Sequence, residues 1–160
     1  MRVLFVSDIH LDAQRPDIAA HFLRFLHGQA VAADALYILG DLFESWIGDD
    51  AADATQREVM HALAALGERG TACFVMHGNR DFLLGEQFCR ASRAQLLTDP
   101  TVLTLFGQRV LLMHGDALCT DDVSYQRLRA TVRDADWQRQ FLALPLSARR
   151  VLGQAAGAGS

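Results

Sequence analysis

The amino-acid sequence predicts an α/β fold built on a parallel sheet, on three observations. Short apolar runs alternate with helical patterns along the first half of the chain, and each apolar run ends in glycine or a polar cluster, as buried strands do. The order strand–helix–strand–helix–strand then favours parallel pairing through helical crossovers. With 160 residues, 51% of them hydrophobic and 21% charged, the chain is long enough to bury one sizeable core.

The first half of the chain contains three predicted strands and two predicted helices. The strands cover residues 2–7, 35–39 and 71–76. Pro16 can begin the first helix, since proline is favoured at the first helical position, and the second helix ends near Gly67. Apolar residues recur at helical spacing in both helices: Ile18, Phe22, Phe25 and Leu26 in the first, and Val59, Leu63 and Leu66 in the second.

The pattern changes after residue 95. Residues 102–105 and 109–113 flank a short turn, which predicts a hairpin. From residue 121 onward the chain is predicted to be helical, with two apolar stripes, the second of which can be part of the core or part of a lid. The stripes are Tyr125, Leu128 and Val132, and then Trp137, Phe141 and Leu144.

The composition excludes several classes of function. All 15 basic residues are arginine, and the absence of lysine excludes Schiff-base chemistry and the usual phosphate-binding P-loop. No apolar run approaches the ~18–20 residues that cross a bilayer, and Asp8 comes too early for a signal peptide. Three cysteines without paired spacing argue against disulfides and a zinc ribbon, so we expect a reduced, cytosolic protein.

Charge is distributed unevenly along the chain. Residues 1–120 carry 9 Arg and 15 acidic residues, a net charge of −6, whereas residues 121–160 carry 6 Arg and 4 Asp, a net charge of +2. The mild basic bias of the second segment does not predict binding to nucleic acid, but it suits an anionic substrate or an anionic membrane surface. Of the 19 acidic residues 15 are aspartate, which directs attention to ligands for hard metal ions.

Polar clusters follow each of the predicted strands in the first half and the hairpin. Because ligands of an open α/β sheet bind beyond the carboxyl ends of its strands, we expect these clusters to converge at one edge. Asp49 and Asp50, by contrast, are interpreted as a solvated loop or a helix start, and His21, His27 and His61 as structural. The converging clusters are Asp8-Ile9-His10, Gly40-Asp41, Gly78-Asn79-Arg80-Asp81 and His114-Gly115-Asp116.

The ligand types in these clusters predict a metal centre. Carboxylate, imidazole and amide donors without a thiolate suit Mn²⁺, Fe²⁺ or Zn²⁺ better than Ca²⁺ or copper. Five candidate ligands exceed what one tetrahedral ion needs, which favours two ions that share a carboxylate, as in phosphoryl-transfer enzymes. The five candidates, expected to be catalytic as well as metal-binding, are Asp8, His10, Asp41, Asn79 and His114.

The order and spacing of these clusters resemble the calcineurin-like metallophosphoesterases across residues 1–116. The resemblance implies an αββα sandwich, with a metallophosphoesterase core over residues 1–120 and the start of a helical insertion or lid over residues 121–160. A longer set of segments is similar to the UDP-2,3-diacylglucosamine pyrophosphatase family of lipid A synthesis. These segments are Ser7–Leu11, Gly40–Asp50, Gly78–Leu83, His114–Asp122, and Leu144–Leu146 followed by Arg149-Arg150.

The resemblance implies a role for each candidate residue. Asp8 and His10 would bind one Mn²⁺ ion, Asp41 would bridge two, and Asn79 and His114 would bind the second. The substrate would be contacted by Asn79, Arg80, Asp122, Tyr125 and Ser160. The implied reaction is hydrolysis of UDP-2,3-diacylglucosamine to UMP and 2,3-diacylglucosamine 1-phosphate, by hydroxide attack at the α-phosphorus.

One departure from the family pattern concerns the second half of the chain. The family supplies two further ligands from a Gly-His-x-His motif, whereas this sequence has no histidine after His114. We therefore expect the sequence to be a truncated form that lacks the last strands of the sheet. The alternatives are another metallophosphoesterase acting on soluble nucleotides or phosphoproteins, and a non-catalytic scaffold on the same fold.

The resemblance also implies a location and a set of partners. The substrate is a lipid, so we expect a cytoplasmic protein bound peripherally to the anionic inner-membrane surface, without an obligate protein partner or nucleic acid. In this interpretation the helical segment is a lid that rests on the membrane through arginines. The arginines of that segment are Arg127, Arg129, Arg133, Arg139, Arg149 and Arg150.

Overall fold

A computed structural model describes residues 1–158 of the chain, which form six strands and six helices. The strands are β1 (Val3–Val6), β2 (Ala35–Ile38), β3 (Ala72–Met76), β4 (Gln95–Leu97), β5 (Thr101–Leu105) and β6 (Gln108–Leu112). The helices are α1 (Pro16–His27), α2 (Ala54–Glu68), α3 (Glu86–Ser92), α4 (Val123–Arg133), α5 (Ala135–Leu142) and α6 (Leu146–Ala158).

The predicted parallel sheet is confirmed. Strands β1 to β4 lie side by side in sequence order, and each neighbouring pair is parallel. Strands β5 and β6 form the predicted antiparallel hairpin, with Leu105 opposite Gln108 across the turn. Sequential parallel strands joined by helices bring all of their carboxyl ends to one edge of the sheet.

The main core lies between the sheet and helices α1, α2 and α3. Side chains of a strand alternate between its two faces, so Leu36 and Ile38 of β2 join the helix-facing core, whereas Tyr37 faces the other way. The helices contribute the apolar residues that the periodicity predicts, among them Phe22 of α1 and Leu63 of α2. The amphipathic pattern of the sequence therefore determines which face of each element is buried.

The hairpin covers the opposite face of the parallel sheet. A second cluster joins Tyr37 and Met76 of the sheet to Leu112 of the hairpin. Phe5, Tyr37 and Phe74 stack as a row of rings on this face, with centroids 5.3 and 4.6 Å apart. The structure thus has a layer of helices, then the parallel sheet, then the hairpin. This order matches the first three layers of the predicted αββα sandwich.

Two elements were not predicted from the sequence. Helix α3 has seven residues and β4 has three, and such short segments carry too little periodicity to identify them. The helical segment after residue 121 consists of three helices, because Asp134 ends α4 and caps α5 through the backbone N–H of Trp137.

Among the described residues, no helix has both the length and the apolar character that a membrane span requires.

Asp49 and Asp50 begin a short 3₁₀ helix (Asp49–Ala51), which is the helix start that the sequence analysis allowed, and both also have structural roles that it did not predict. Asp49 accepts hydrogen bonds from the indole of Trp46 and from the backbone N–H groups of Gly85 and Phe88, so it caps α3. Asp50 accepts two hydrogen bonds from the guanidinium of Arg149, at 2.9 and 2.7 Å. Arg149 is 3% exposed, and its ion pair with Asp50 holds α6 against the loop that follows β2.

The pair of Asp50 and Arg149 predicts a pH-dependent contribution to stability. The hydrogen bond from Arg149 lowers the pKa of Asp50 in the folded state. A lowered carboxyl pKa stabilises the fold above the unfolded pKa of about 4, and the contribution is lost as the pH falls through the folded pKa. We expect Asp50→Asn to lower the melting temperature at pH 7, and the difference from wild type to shrink below about pH 4.

Thermal denaturation monitored by circular dichroism at several pH values measures this effect. Asp121→Asn, which changes an exposed carboxylate, is the matched control and should leave the melting temperature unchanged. A difference between Asp50→Asn and wild type that stays constant down to pH 3 would contradict the assignment.

Candidate metal centre

The loops after β1, β2, β3 and β6 bring all five predicted ligands together at one end of the sheet. The loops after β1 and β2 are hydrogen-bonded to each other, since the N–H of Asp8 donates to the carbonyl of Gly40 and that of His10 to the carbonyl of Asp41. The convergence expected from the strand order is therefore present.

Three of the ligands have left-handed backbone conformations. The φ angles of Asp8, His10 and Asp41 are 55°, 52° and 55°. This region is unfavourable for residues that carry a Cβ, and such strain persists only where the surrounding structure enforces it. Its concentration in three successive ligands is typical of a functional site.

Asp81 enforces the conformation of the Asp41 loop. Its buried carboxylate accepts hydrogen bonds from the backbone N–H groups of Asp41, Leu42 and Phe43, and from that of Gly78. The loops after β2 and β3 are thus joined through one side chain. Gly78 itself is required, since a Cβ there would overlap the carboxylate and the backbone nitrogen of Asp41.

Asp8, His10 and Asp41 form the first candidate ligand set. One ligand atom from each lies within 4.8 Å of the others. Nε2 of His10 is 3.7 Å from Oδ1 of Asp8 and 3.6 Å from Oδ2 of Asp41, whereas Nδ1 lies 2.9 Å from Oε2 of Glu44. A carboxylate on the far side of the imidazole orients it and leaves Nε2 facing the ion site. The sequence analysis did not identify Glu44 as a site residue.

Asp41, Asn79 and His114 form the second candidate ligand set. Nδ1 of His114 lies 2.8 Å from the carbonyl oxygen of Leu39, which can accept its proton and leave Nε2 as the ligand atom. Nε2 is 3.4 Å from Oδ2 of Asp41 and 3.2 Å from the side-chain oxygen of Asn79. The side-chain amide of Asn79 therefore lies beside both Asp41 and His114.

The electrostatics of the site favour a positive charge beside Asp41. Burial alone would raise the pKa of Asp41, but hydrogen bonds from His114 and the backbone of Arg80 outweigh it and lower that pKa. The hydrogen bond with Asp41 in turn raises the pKa of His114 to about 9. A divalent ion beside Asp41 would replace the proton of His114 and supply the same positive charge, so the donor set fits a divalent metal ion.

A cleft of about 1260 Å³ opens beside the ligands and extends beneath the helical segment. Both predicted apolar stripes line it, and Phe141 also packs against the main core. The second stripe is therefore consistent with both alternatives, since Phe141 packs on the core and all three of its residues line the cleft. The six stripe residues that line the cleft are Tyr125, Leu128, Val132, Trp137, Phe141 and Leu144.

Three of the predicted substrate-contacting residues line this cleft beside Asn79. Arg80 lies at the metal end, with Nη1 3.7 Å from Oε1 of Glu44. Asp122 caps α4 by accepting the backbone N–H of Tyr125, whose own hydroxyl donates to Asp116. Both side chains thus have structural roles that the sequence analysis did not predict. Ser160, the remaining predicted contact, lies outside the described residues.

The arginines of the helical segment divide into two groups. Arg129, Arg133 and Arg149 contact carboxylates or carbonyls within the chain and are largely buried, so they are not placed to rest on a membrane. This differs from the expectation that all six arginines serve a membrane surface. The exposed group consists of Arg127, Arg139 and Arg150.

Curated relatives match nearly the whole chain. It is 53% identical over 156 residues to a UDP-2,3-diacylglucosamine hydrolase of Stenotrophomonas maltophilia (strain R551-3), covering 98% of this chain and 63% of that protein. It is 55% identical over 150 residues to a UDP-2,3-diacylglucosamine hydrolase of Escherichia coli O81 (strain ED1a), covering 94% of this chain and 62% of that protein. The chain thus spans less than two thirds of the length of these relatives.

The fold is similar to that of a solved structure. A nuclease MPE of Pseudomonas putida superposes with a TM-score of 0.50 at 24% identity, over 64% of this chain and 50% of the nuclease. The family described as calcineurin-like phosphoesterase matches residues 1–151, which include all five candidate ligands and most of the lining of the cleft. The chain therefore belongs to the calcineurin-like phosphoesterase family.

Proposed function

We propose that this chain is the metal-binding part of a hydrolase that cleaves the pyrophosphate bond of UDP-2,3-diacylglucosamine. The products would be UMP and 2,3-diacylglucosamine 1-phosphate. The observation that carries the proposal is the continuity of the ligand cluster with an aromatic cleft, since the substrate combines a pyrophosphate with two acyl chains. The names of the curated relatives support the same substrate.

The proposed metal centre holds two divalent ions, with Mn²⁺ the metal that the family resemblance suggests. Asp8 and His10 would bind one ion, Asn79 and His114 the other, and Asp41 both. When bound, the ions would acidify a water and polarise the phosphoryl oxygens. The Asp41 carboxylate is suited to the shared position because it lies within 3.6 Å of both ligand imidazoles.

Arg80 and Asn79 would bind and orient the pyrophosphate. The guanidinium of Arg80 carries a permanent charge and a fork of N–H donors that matches phosphate oxygens. Its proximity to Glu44 keeps this group beside the metal ligands. Positive charge is needed here, because the first 120 residues carry a net charge of −6 that would otherwise repel the substrate.

The cleft would hold the lipid part of the substrate. Trp137 and Phe141 stack with centroids 5.2 Å apart, and Trp137 also contacts Phe82 of the core. These rings offer acyl chains an apolar surface and exclude water from the reacting end. Asp122 and Tyr125 would contact the glucosamine, and we retain Ser160 as a further proposed contact.

Hydrolysis assays with the intact protein test the proposed reaction. We expect Asp41→Ala to abolish Mn²⁺-dependent hydrolysis of UDP-2,3-diacylglucosamine, because the variant removes the ligand that both ions share. Asp17→Ala, which changes an exposed carboxylate of α1, should retain full activity.

The same assay separates the alternatives. The enzyme could instead prefer soluble nucleotide pyrophosphates or a phosphoprotein over UDP-2,3-diacylglucosamine. That result would contradict the proposed substrate, because these molecules have no acyl chains that would bind in the aromatic cleft. Absence of hydrolysis in a protein that binds metal normally would favour a non-catalytic scaffold.

We further propose peripheral binding to the cytoplasmic face of the inner membrane. Of the exposed arginines of the helical segment, Arg150 lines the cleft that would receive the acyl chains, and Arg127 and Arg139 belong to α4 and α5, which contribute other lining residues. Each basic residue near an anionic surface contributes about 1 kcal/mol to binding. Co-sedimentation with phosphatidylglycerol vesicles should therefore weaken in salt and on changing all three residues to glutamine. Sedimentation insensitive to both changes would refute this electrostatic contribution.

A further inference from the structure

Helix α4 carries three polar side chains spaced four residues apart, which we call the polar stripe of α4. The stripe consists of Tyr125, Arg129 and Arg133. Residues at this spacing lie on one face of a helix. All three are partly buried, and they point toward the strand-end loops that carry the second ligand set.

Two members of the stripe donate hydrogen bonds to the carboxylate of Asp116, and the third, Arg133, lies 3.9 Å from the same carboxylate. The hydroxyl of Tyr125 donates to Oδ2 of Asp116 at 2.7 Å, and Nε of Arg129 donates to the same oxygen at 2.9 Å. The side chain of Asp116 is only 8% exposed. Asp116 stands two residues after His114, so these bonds fix the chain on the carboxyl side of that ligand.

Arg129 also reaches the amino side of the same ligand. Its Nη2 lies 3.5 Å from Oδ2 of Asp99, whose other carboxylate oxygen accepts the backbone N–H of His114 at 3.3 Å. The side chain of Asp99 is 4% exposed. One guanidinium therefore connects two buried carboxylates that hold the backbone of His114 between them.

Arg133 contacts the loop that carries the other ligand of this set. Its Nη2 donates to the carbonyl of Gly78 at 3.0 Å and lies 3.4 Å from the carbonyl oxygen of His77. These residues immediately precede Asn79. The stripe thus spans the loops of both Asn79 and His114, whereas the backbone of Asp8 and His10 is held by hydrogen bonds to Gly40 and Asp41.

We propose that the polar stripe of α4 positions the ligands of the second metal ion and has no comparable effect on the first. This inference rests on the proposed two-metal centre and extends it to residues outside the ligand set. Tyr125, Arg129 and Arg133 also line the cleft. Helix α4 would therefore both enclose the lipid part of the substrate and position the loops of Asn79 and His114.

Titration of the metal-free intact protein with Mn²⁺, by calorimetry and electron paramagnetic resonance, tests the proposal. Arg129→Gln and Arg133→Gln should each weaken one of two Mn²⁺ sites by about 10- to 100-fold, the range seen when a residue that orients a metal ligand is removed. The other site should keep its affinity, and the signal of coupled Mn²⁺ ions should fall at ion concentrations that saturate wild type.

Three further variants sharpen the test. Arg127→Gln makes the same charge change on an exposed position of α4 and should leave both affinities at the wild-type value. Tyr125→Phe removes a single hydroxyl with little risk to folding, and should weaken the same site by a smaller factor. Arg129→Lys keeps one charged donor for Asp116 and should recover part of the lost affinity.

The possible outcomes distinguish a failure of the proposed role of the stripe from a failure of the proposed metal centre. Wild-type binding of two Mn²⁺ ions tests the proposed centre, whereas the differences among variants test the stripe, so either can fail without the other. Wild-type affinity at both sites in Arg129→Gln and Tyr125→Phe would overturn the proposal. Equal weakening of both sites in these variants would also overturn it, since it would show a general structural role.

Discussion

The candidate metal centre depends on one buried carboxylate that lies outside the predicted ligand set. Asp81 is fully buried and accepts four backbone N–H groups, three from the loop after β2 and one from the loop after β3. Burial raises the pKa of Asp81, while the four donors stabilise its ionised form. These bonds hold Asp41 in a left-handed conformation and fix its distance from His10 and His114.

The helical segment adds a second level of support to the same centre. Arg149 fastens α6 through Asp50, and the polar stripe of α4 reaches the loops of Asn79 and His114. Acidic residues of this protein therefore have two different uses. Some face the proposed ions, whereas others, such as Asp116, bind arginines or backbone N–H groups and hold the loops in place.

The sequence predicted the parallel sheet and the hairpin, and it predicted five candidate ligands that lie together in the structure, because strand patterns and strand-end clusters are local features. Their convergence followed from the rule that parallel strands end at one edge. The residues that hold the ligands could not be found in this way. Asp81 contacts backbone about 40 positions away, and Asp99 contacts His114 across 15 positions. Such partners depend on tertiary packing, and arginine periodicity alone could not separate buried Arg129 from exposed Arg127.

The most direct measurement is Mn²⁺ binding by an Asp81→Asn variant of the intact protein that circular dichroism shows to be folded. An asparagine presents an NH₂ group where backbone donors converge, so the Asp41 loop should leave its left-handed conformation. The account predicts that both ions bind at least about 10-fold more weakly, since they share Asp41. Binding of both ions at wild-type affinity would show that the buried carboxylate does not maintain the centre.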